Sequence, residues 1–426
     1  MRENIVISRS ATITASLGQK KAEPTGQIAS RLAVGCLLLI ASSSLMLAQA
    51  GHLDKAFGDA GIFTVNPGLN SGATSVALQR TAKIVIGGQV NGVGAILSVT
   101  SNGQLDTSFG SGGLVTNRFG IDAGVIVLAI AVQSDDKILA LATGFPGSLS
   151  IGRFNPDGSI DTTFGSQGFT GRFASGQPSF AAALALQSDG DILAGSGFLM
   201  SRFKSTGALD TTFGNAGTAP LKLASPDVNA IAVQPNGRIL VASSDIGGEG
   251  AVTRYNSNGS PDTNFGILGQ SASISPTSAM DLQPDGRIVV VGSLPTTLSP
   301  ARSGFGLIRY NNNGSIDTTF VSHGGTATSF PGNATAAALA SAIQANGDLI
   351  AAGQAFSQLN QSKFALARYT SGGMLDSTFG TGGRVLTSFG SNNPAAIAAI
   401  VLQPDGKIVV AGAIGSSFGV ARYLAE

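Results

Sequence analysis

The stretch Leu402-Gln403-Pro404-Asp405-Gly406-Lys407-Ile408 decides the fold of this 426-residue chain. Proline fixes φ and glycine accepts a positive φ, so Pro-Asp-Gly is a tight turn. Its flanks, Ala399-Ile400-Val401-Leu402 and Lys407-Ile408-Val409-Val410-Ala411, are short and apolar on both faces. Such flanks read as a hairpin of two strands covered from both sides. A near copy stands at Leu282-Gln283-Pro284-Asp285-Gly286-Arg287-Ile288, and the glutamine recurs seven times, at Gln79, Gln133, Gln187, Gln234, Gln283, Gln344 and Gln403.

A second motif, Asp-x-x-Phe, alternates with the first. Its copies are Asp54 with Phe57, Asp106 with Phe109, Asp161 with Phe164, Asp210 with Phe213, Asp262 with Phe265, Asp317 with Phe320, and Asp376 with Phe379. The intervals between the aspartates are 52, 55, 49, 52, 55 and 59 residues. A third strand such as Phe364-Ala365-Leu366-Ala367-Arg368-Tyr369 precedes the motif, and an outer strand such as Gly383-Arg384-Val385-Leu386-Thr387 follows it. Four strands repeated seven times predict an all-β, seven-bladed β-propeller of four-stranded antiparallel blades. A parallel β-helix would need shorter rungs and long parallel strands.

The order of segments predicts how the ring closes. The repeat region opens on an outer strand, within residues 52 to 66, and ends on a third strand, residues 418 to 423. Each end lacks what the other supplies, so the N-terminal outer strand is expected to pair with the C-terminal blade and hide two edges.

Composition agrees with packed sheet: 59 Gly, 43% hydrophobic residues, 12% charged residues and no Trp. The first fifty residues differ. Arg2, Arg9, Lys20, Lys21 and Arg31 precede an apolar stretch from Leu32 to Ala48 that ends in Ala48-Gln49-Ala50. This reads as a signal peptide over residues 1–50, cleaved after Ala50, with the propeller over 51–426 and a secreted or periplasmic destination. An uncleaved membrane anchor is the alternative. The single cysteine, Cys36, lies inside the apolar stretch, so the mature chain is expected to carry neither disulfides nor thiolate metal sites. Without the leader, 20 basic residues face 22 acidic ones, a net charge of −2 that gives no reason to expect nucleic acid or an anionic membrane as partner.

The combination Ala-Leu-x-Leu-Gln-Pro-Asp-Gly-Lys-Ile, Phe-Ala-Leu-Ala-Arg-Tyr and Leu-Asp-x-Thr-Phe-Gly-x-Gly-Gly resembles the delta-60 repeat family of bacterial exported proteins, over residues 52 to 426. It is more distantly similar to NHL-repeat propellers. The resemblance implies a propeller fold and no particular activity.

Residues present in every blade point to architecture, because a single site seldom needs seven copies. Each motif phenylalanine is read as a plug between blades. Each aspartate is read first as a turn cap that accepts backbone N–H groups. The second reading is an ion pair with an arginine eight residues earlier, at Arg153, Arg202, Arg254, Arg309 and Arg368. Asp54 has no upstream arginine, so Arg422 would have to reach it across the closure. Ser98 stands where an arginine would precede Asp106.

Catalytic machinery is not legible. The only histidines are His52 and His323, no nucleophile elbow accompanies them, and Gln-Pro-Asp-Gly offers one carboxylate where calcium needs several oxygens. No catalytic residue, metal site or cofactor is predicted. Function is expected in the unequal loops between second and third strands and between blades, where Arg302, Lys363, Asp227 and Asp245 are the candidate binding residues. The expected function is non-enzymatic binding of a protein or cell-surface ligand by a monomeric exported propeller. A hydrolase or lyase using carboxylates near the central channel is the alternative.

Overall fold

The computed structural model describes residues 6–8, 10–12, 49–145, 147–174, 181–222, 227–245, 249–272, 277–296, 299–321, 323–357, 361–390 and 393–426. The described elements are all strands, arranged as seven blades. Blade 1 is typical: Gly72–Leu78, Ile84–Val90, Val93–Val99 and Leu114–Asn117 pair antiparallel in chain order, from the innermost strand to the outermost. In blade 4 the described part of the outer edge is Gln270, bridged to Thr253.

Blade 7 is composite. Ala395–Leu402, Ile408–Ile414 and Ser417–Tyr423 form its inner three strands, and Ile62–Val65 supplies the fourth, with Ala421 opposite Ile62 and Phe418 opposite Val65. The third and fourth strands of blade 7 are therefore joined by hydrogen bonds rather than by a continuous stretch of chain, and the ring closes as the order of segments requires.

The innermost strands carry a feature absent from the sequence reading. In six blades the register against the second strand slips by one residue, as between Ala73 and Ser75 or between Ala338 and Ala340. A bulge blunts an exposed strand edge by bending it and frees one residue to point elsewhere. In blade 1 that residue is Thr74, whose hydroxyl donates to the Gly87 and Val127 carbonyls and so ties blade 1 to blade 2. Two short strands, Val6–Ser8 and Ser10–Thr12, pair with the innermost strands of blades 4 and 7. Cys36 and the apolar stretch of the leader lie outside the described residues.

Packing runs between blades. All seven motif phenylalanines are completely buried. The ring of Phe57 lies so close to Gly103 of blade 1 that a Cβ on that glycine would sit 2.9 Å from it. Alanines such as Ala340, Ala352 and Ala367 are fully buried in the same way, which lets neighbouring sheets approach closely. No helix of the described residues is long and apolar enough to cross a membrane.

Candidate functional site

The two faces of the disc are built differently. On one face lie the turns between first and second strands and the Asp-x-x-Phe segments; on the other lie the second-to-third-strand loops and the blade-to-blade connections.

The turn face holds one motif in seven versions. In blade 2 one oxygen of Asp161 caps its own turn, accepting from the Thr163 N–H and hydroxyl, while the other accepts from Arg153 Nε at 2.7 Å. Cap and ion pair are thus both present, one on each carboxylate oxygen. The Arg153 guanidinium lies 4.6 Å above the Phe164 ring and donates to the Ser205 carbonyl of blade 3. Arginine suits this place because its planar fork can stack on an aromatic ring and still donate sideways. The same set recurs with Arg202, Arg254, Arg309, Arg368 and Arg422 over Phe213, Phe265, Phe320, Phe379 and Phe57. The residue after each phenylalanine donates its N–H to the next blade's turn, as Gly110 does to Asp157 O at 2.7 Å.

A second cation reinforces most copies. Lys137 and Lys407 lie within 3.0–3.2 Å of Asp161 and Asp54, and Arg238 and Arg287 lie within 3.4–3.5 Å of Asp262 and Asp317. Blade 3 has Asp191 at this place and compensates with Lys204, which bridges Asp191 at 3.0 Å and Asp210 at 2.9 Å. In blade 1, where serine replaces the arginine, the Ser98 hydroxyl and Lys83 hold Asp106. Burial alone would push these carboxyls up. The hydrogen bonds and cations outweigh it, and all seven are held below the usual carboxylate range.

Two clefts of about 370 and 420 Å³ open on this face between blades 3 and 4 and between blades 6 and 7. Both are lined by the repeat's own residues, among them Gln187, Arg202 and Gln234 in the first and Gln344 and Gln403 in the second.

The loop face varies from blade to blade. In blade 3 the second and third strands, Ile192–Ser196 and Leu199–Phe203, are short. In blade 5 they extend to Ile288–Thr296 and Ser299–Tyr310, and the Ser293 and Ser303 hydroxyls donate to Ala336 O of blade 6. Arg302 belongs to the longer of these strands, and its side chain lies outside what is described. Lys363, half-buried, stands opposite Ala355 in blade 6. Asp227 is exposed and begins blade 4 opposite Ser244, beside Asp245 at the same end. Asp245 accepts from the Glu249 N–H at 2.8 Å, so its carboxylate also braces its own loop. The four candidates therefore spread over blades 4, 5 and 6, and only the two aspartates share a blade. An exposed pair missing from the sequence reading, Arg172 with Asp122 at 2.7 Å, links the outer strand of blade 2 to the connection that enters it. Its 50-residue separation leaves no local signal.

One buried carboxylate interrupts the innermost strands. Asp281 of blade 5 is 3% exposed, at a place filled by Ala77, Ala131, Ala185, Ala232 and Ala342 in other blades. The Ser341 hydroxyl of blade 6 donates to it at 2.5 Å, itself replacing an apolar residue such as Ile231 or Ile400. Among the described residues no three or more metal-ligating side chains gather.

Segments 133–164, 234–265, 283–320, 344–379 and 403–426 match the family model described as a domain of unknown function (DUF5122) beta-propeller. Each begins on a repeat glutamine, and the first four end on the plug phenylalanine. No curated protein matches the sequence. Among solved structures the chain is similar to a PL25 ulvan lyase, a polysaccharide lyase, at 11% identity over 88% of this chain and 96% of that one, TM-score 0.47. It is also similar to Drosophila Semaphorin 1b extracellular domains 1–2, at 10% identity over 88% and 87%, TM-score 0.46. A third is regucalcin, a calcium-binding protein from Agrobacterium tumefaciens, at 15% identity over 70% and 90%, TM-score 0.40. Likeness at this depth carries no argument about activity. The five segments and the seven blades together make the chain a β-propeller repeat protein.

Proposed function

We propose that this protein is an exported, non-enzymatic recognition propeller of the delta-60 repeat type, which binds a protein or cell-surface ligand through its loop face. On this reading residues 1–50 are a signal peptide removed after Ala50, and residues 51–426 act as a monomer in the periplasm or outside the cell, without a cofactor. The observation that carries it is the contrast between the faces. The turn face repeats one staple around the ring, whereas the loop face presents hairpins that run from five-residue to twelve-residue strands. Rigid scaffolds with variable loops on one face place recognition in those loops.

The alternative, a hydrolase or lyase at the channel, is less well supported. Most glycoside hydrolases use two carboxyl groups about 5–10 Å apart. On the described innermost strands Asp281 is the one buried carboxylate, and a serine hydroxyl donates to it.

Binding of the 51–426 chain to glycan and peptide arrays tests the proposal. Charge reversal of Arg302 and Lys363 is expected to abolish any hit, while reversal of the turn-face residue Asp405 leaves it intact. Loss confined to the turn-face variant would contradict the loop-face assignment.

A further inference from the structure

We infer that the leader can be removed after Ala50 only before blade 7 closes, so that ring closure decides whether a chain is released or keeps its leader. The inference rests on the export reading above.

The bond in question lies inside the seventh staple. In blade 1 the turn that leads into the motif runs through Asn102 and Gly103, and Asn102 O accepts the Gly58 N–H of the preceding blade. In blade 7 Ala50 and Gly51 take those two places: Ala50 O accepts the Gly380 N–H at 2.8 Å. The Gly51 N–H donates to Leu424 O at 2.8 Å, and Leu424 N–H donates to His52 O at 2.9 Å. Gly51 holds a φ of +81°, and a Cβ there would come within 2.8 Å of both Gly380 N and Val385 Cγ2.

Cleavage adds water across the Ala50–Gly51 amide: the C–N bond breaks, hydroxide joins the Ala50 carbonyl carbon and the proton goes to the Gly51 nitrogen. A peptidase must reach that carbonyl carbon in an extended, accessible segment. In the closed ring Ala50 is only 9% exposed, its carbonyl is occupied, and the backbone turns sharply at Gly51. Proteolysis of such a segment follows the population of the opened state. Cleavage before closure has a second consequence. The Ala50 carbonyl leaves with the leader, so Gly380 loses its acceptor, while the Gly51 nitrogen remains as an ammonium that can still donate to Leu424 O.

The test presents the full 426-residue precursor to signal peptidase in detergent micelles, either during synthesis or after folding, with the product identified by its N-terminal residue. Chains exposed during synthesis are expected to yield Gly51 as the new terminus, and folded precursor to be cut at least about tenfold more slowly. The Arg422→Ala precursor, with a loosened seam, is expected to recover cleavage after folding. Equal cleavage of nascent and folded wild-type precursor would overturn the inference and leave the export reading intact. No cleavage after Ala50 under either condition would overturn both. A second readout is amide exchange at Gly380. It is expected to be at least about tenfold faster in the 51–426 chain than in uncleaved precursor, with Gly110 and Gly214 unchanged. Equal protection of Gly380 in the two chains would overturn the placement of Ala50 in the staple.

Discussion

Arg422 and Asp54, 368 residues apart in the chain, meet at 2.9 Å in blade 7. Arg422 is 6% exposed, lies 4.7 Å above the Phe57 ring, and also donates to the Ser101 carbonyl and to Gln403 Oε1. One side chain therefore joins the C-terminal strand, the N-terminal motif and blade 1. Removing Arg422 leaves Asp54 with Lys407 alone, 3.2 Å away, and takes the donor from the Ser101 carbonyl and Gln403 Oε1, at a cost of roughly 1–3 kcal/mol. Arg422→Ala is expected to lower unfolding stability by that amount in a denaturant titration. The Asp54→Ala/Arg422→Ala double variant is expected to lose clearly less than the sum of the two single losses. Additive losses would show that the two residues do not act as a pair.

Blade 1 offers an internal comparison. Lys83 is the one cation on Asp106 among the described ion pairs, whereas Lys137 shares Asp161 with Arg153. Lys83→Met is expected to cost on the order of 1–3 kcal/mol, since it leaves a buried carboxylate without a cation. Lys137→Met is expected to cost under about 1 kcal/mol. Equal effects in thermal unfolding would mean that the arginine of blade 2 adds nothing.

Val321 occupies a glycine position. The residue after the plug is glycine in the other six blades, with φ between 52 and 56°; Val321 adopts 48° there. Its N–H reaches Gly372 O at 3.2 Å, against 2.7–2.8 Å in the other staples. A β-branched residue in left-handed backbone costs roughly 1–2 kcal/mol. Val321→Gly should therefore raise stability by about 1 kcal/mol, read as a higher melting temperature. A fall would mean that the valine methyl groups contribute more by packing than the backbone loses.

Acid and alkali should destabilise the ring for opposite reasons. The seven motif aspartates are depressed in the folded state, so their contribution is complete above the unfolded value of about 3.9 and is lost as pH falls below it. Stability is expected to be flat above about pH 5 and to fall steeply below about pH 4. All four tyrosines, Tyr255, Tyr310, Tyr369 and Tyr423, are buried, and burial pushes their phenols up, Tyr310 to about 12. Raised phenol values stabilise the folded state below the unfolded value of about 10, and that stabilisation fades as pH rises through it. Absorbance of phenolate should stay absent past pH ~10.5 and then appear together with unfolding. Ionisation of folded protein near pH 10 would contradict the burial of these rings.

Blade number, closure and the positions of the seven buried phenylalanines were legible because a repeat writes the same interaction seven times. The eight-residue spacing from arginine to aspartate was visible for the same reason, although it could not reveal that one carboxylate would serve both cap and ion pair. The second cation had a readable signal, a basic residue directly after the turn in Gly406-Lys407, Gly286-Arg287 and Gly237-Arg238. Its exchange with Lys204 in blade 3 did not, because Asp191 and Lys204 come from different strands. The inner bulges and the Asp281–Ser341 contact depend on register and on neighbouring blades, which no local pattern encodes.

A cysteine pair across the seam tests the composite blade most directly. The 51–426 chain contains no cysteine of its own. Ile62 faces Ala421 and Phe63 faces Val420, and consecutive pairs in an antiparallel ladder alternate between wide and close spacing. Ile62→Cys/Ala421→Cys and Phe63→Cys/Val420→Cys are therefore made separately and oxidised under native conditions. Peptide mapping is predicted to find a 62–421 or 63–420 disulfide in near-quantitative yield in at least one of the two. Failure of both pairs to cross-link in folded protein would contradict closure of the ring by its own termini.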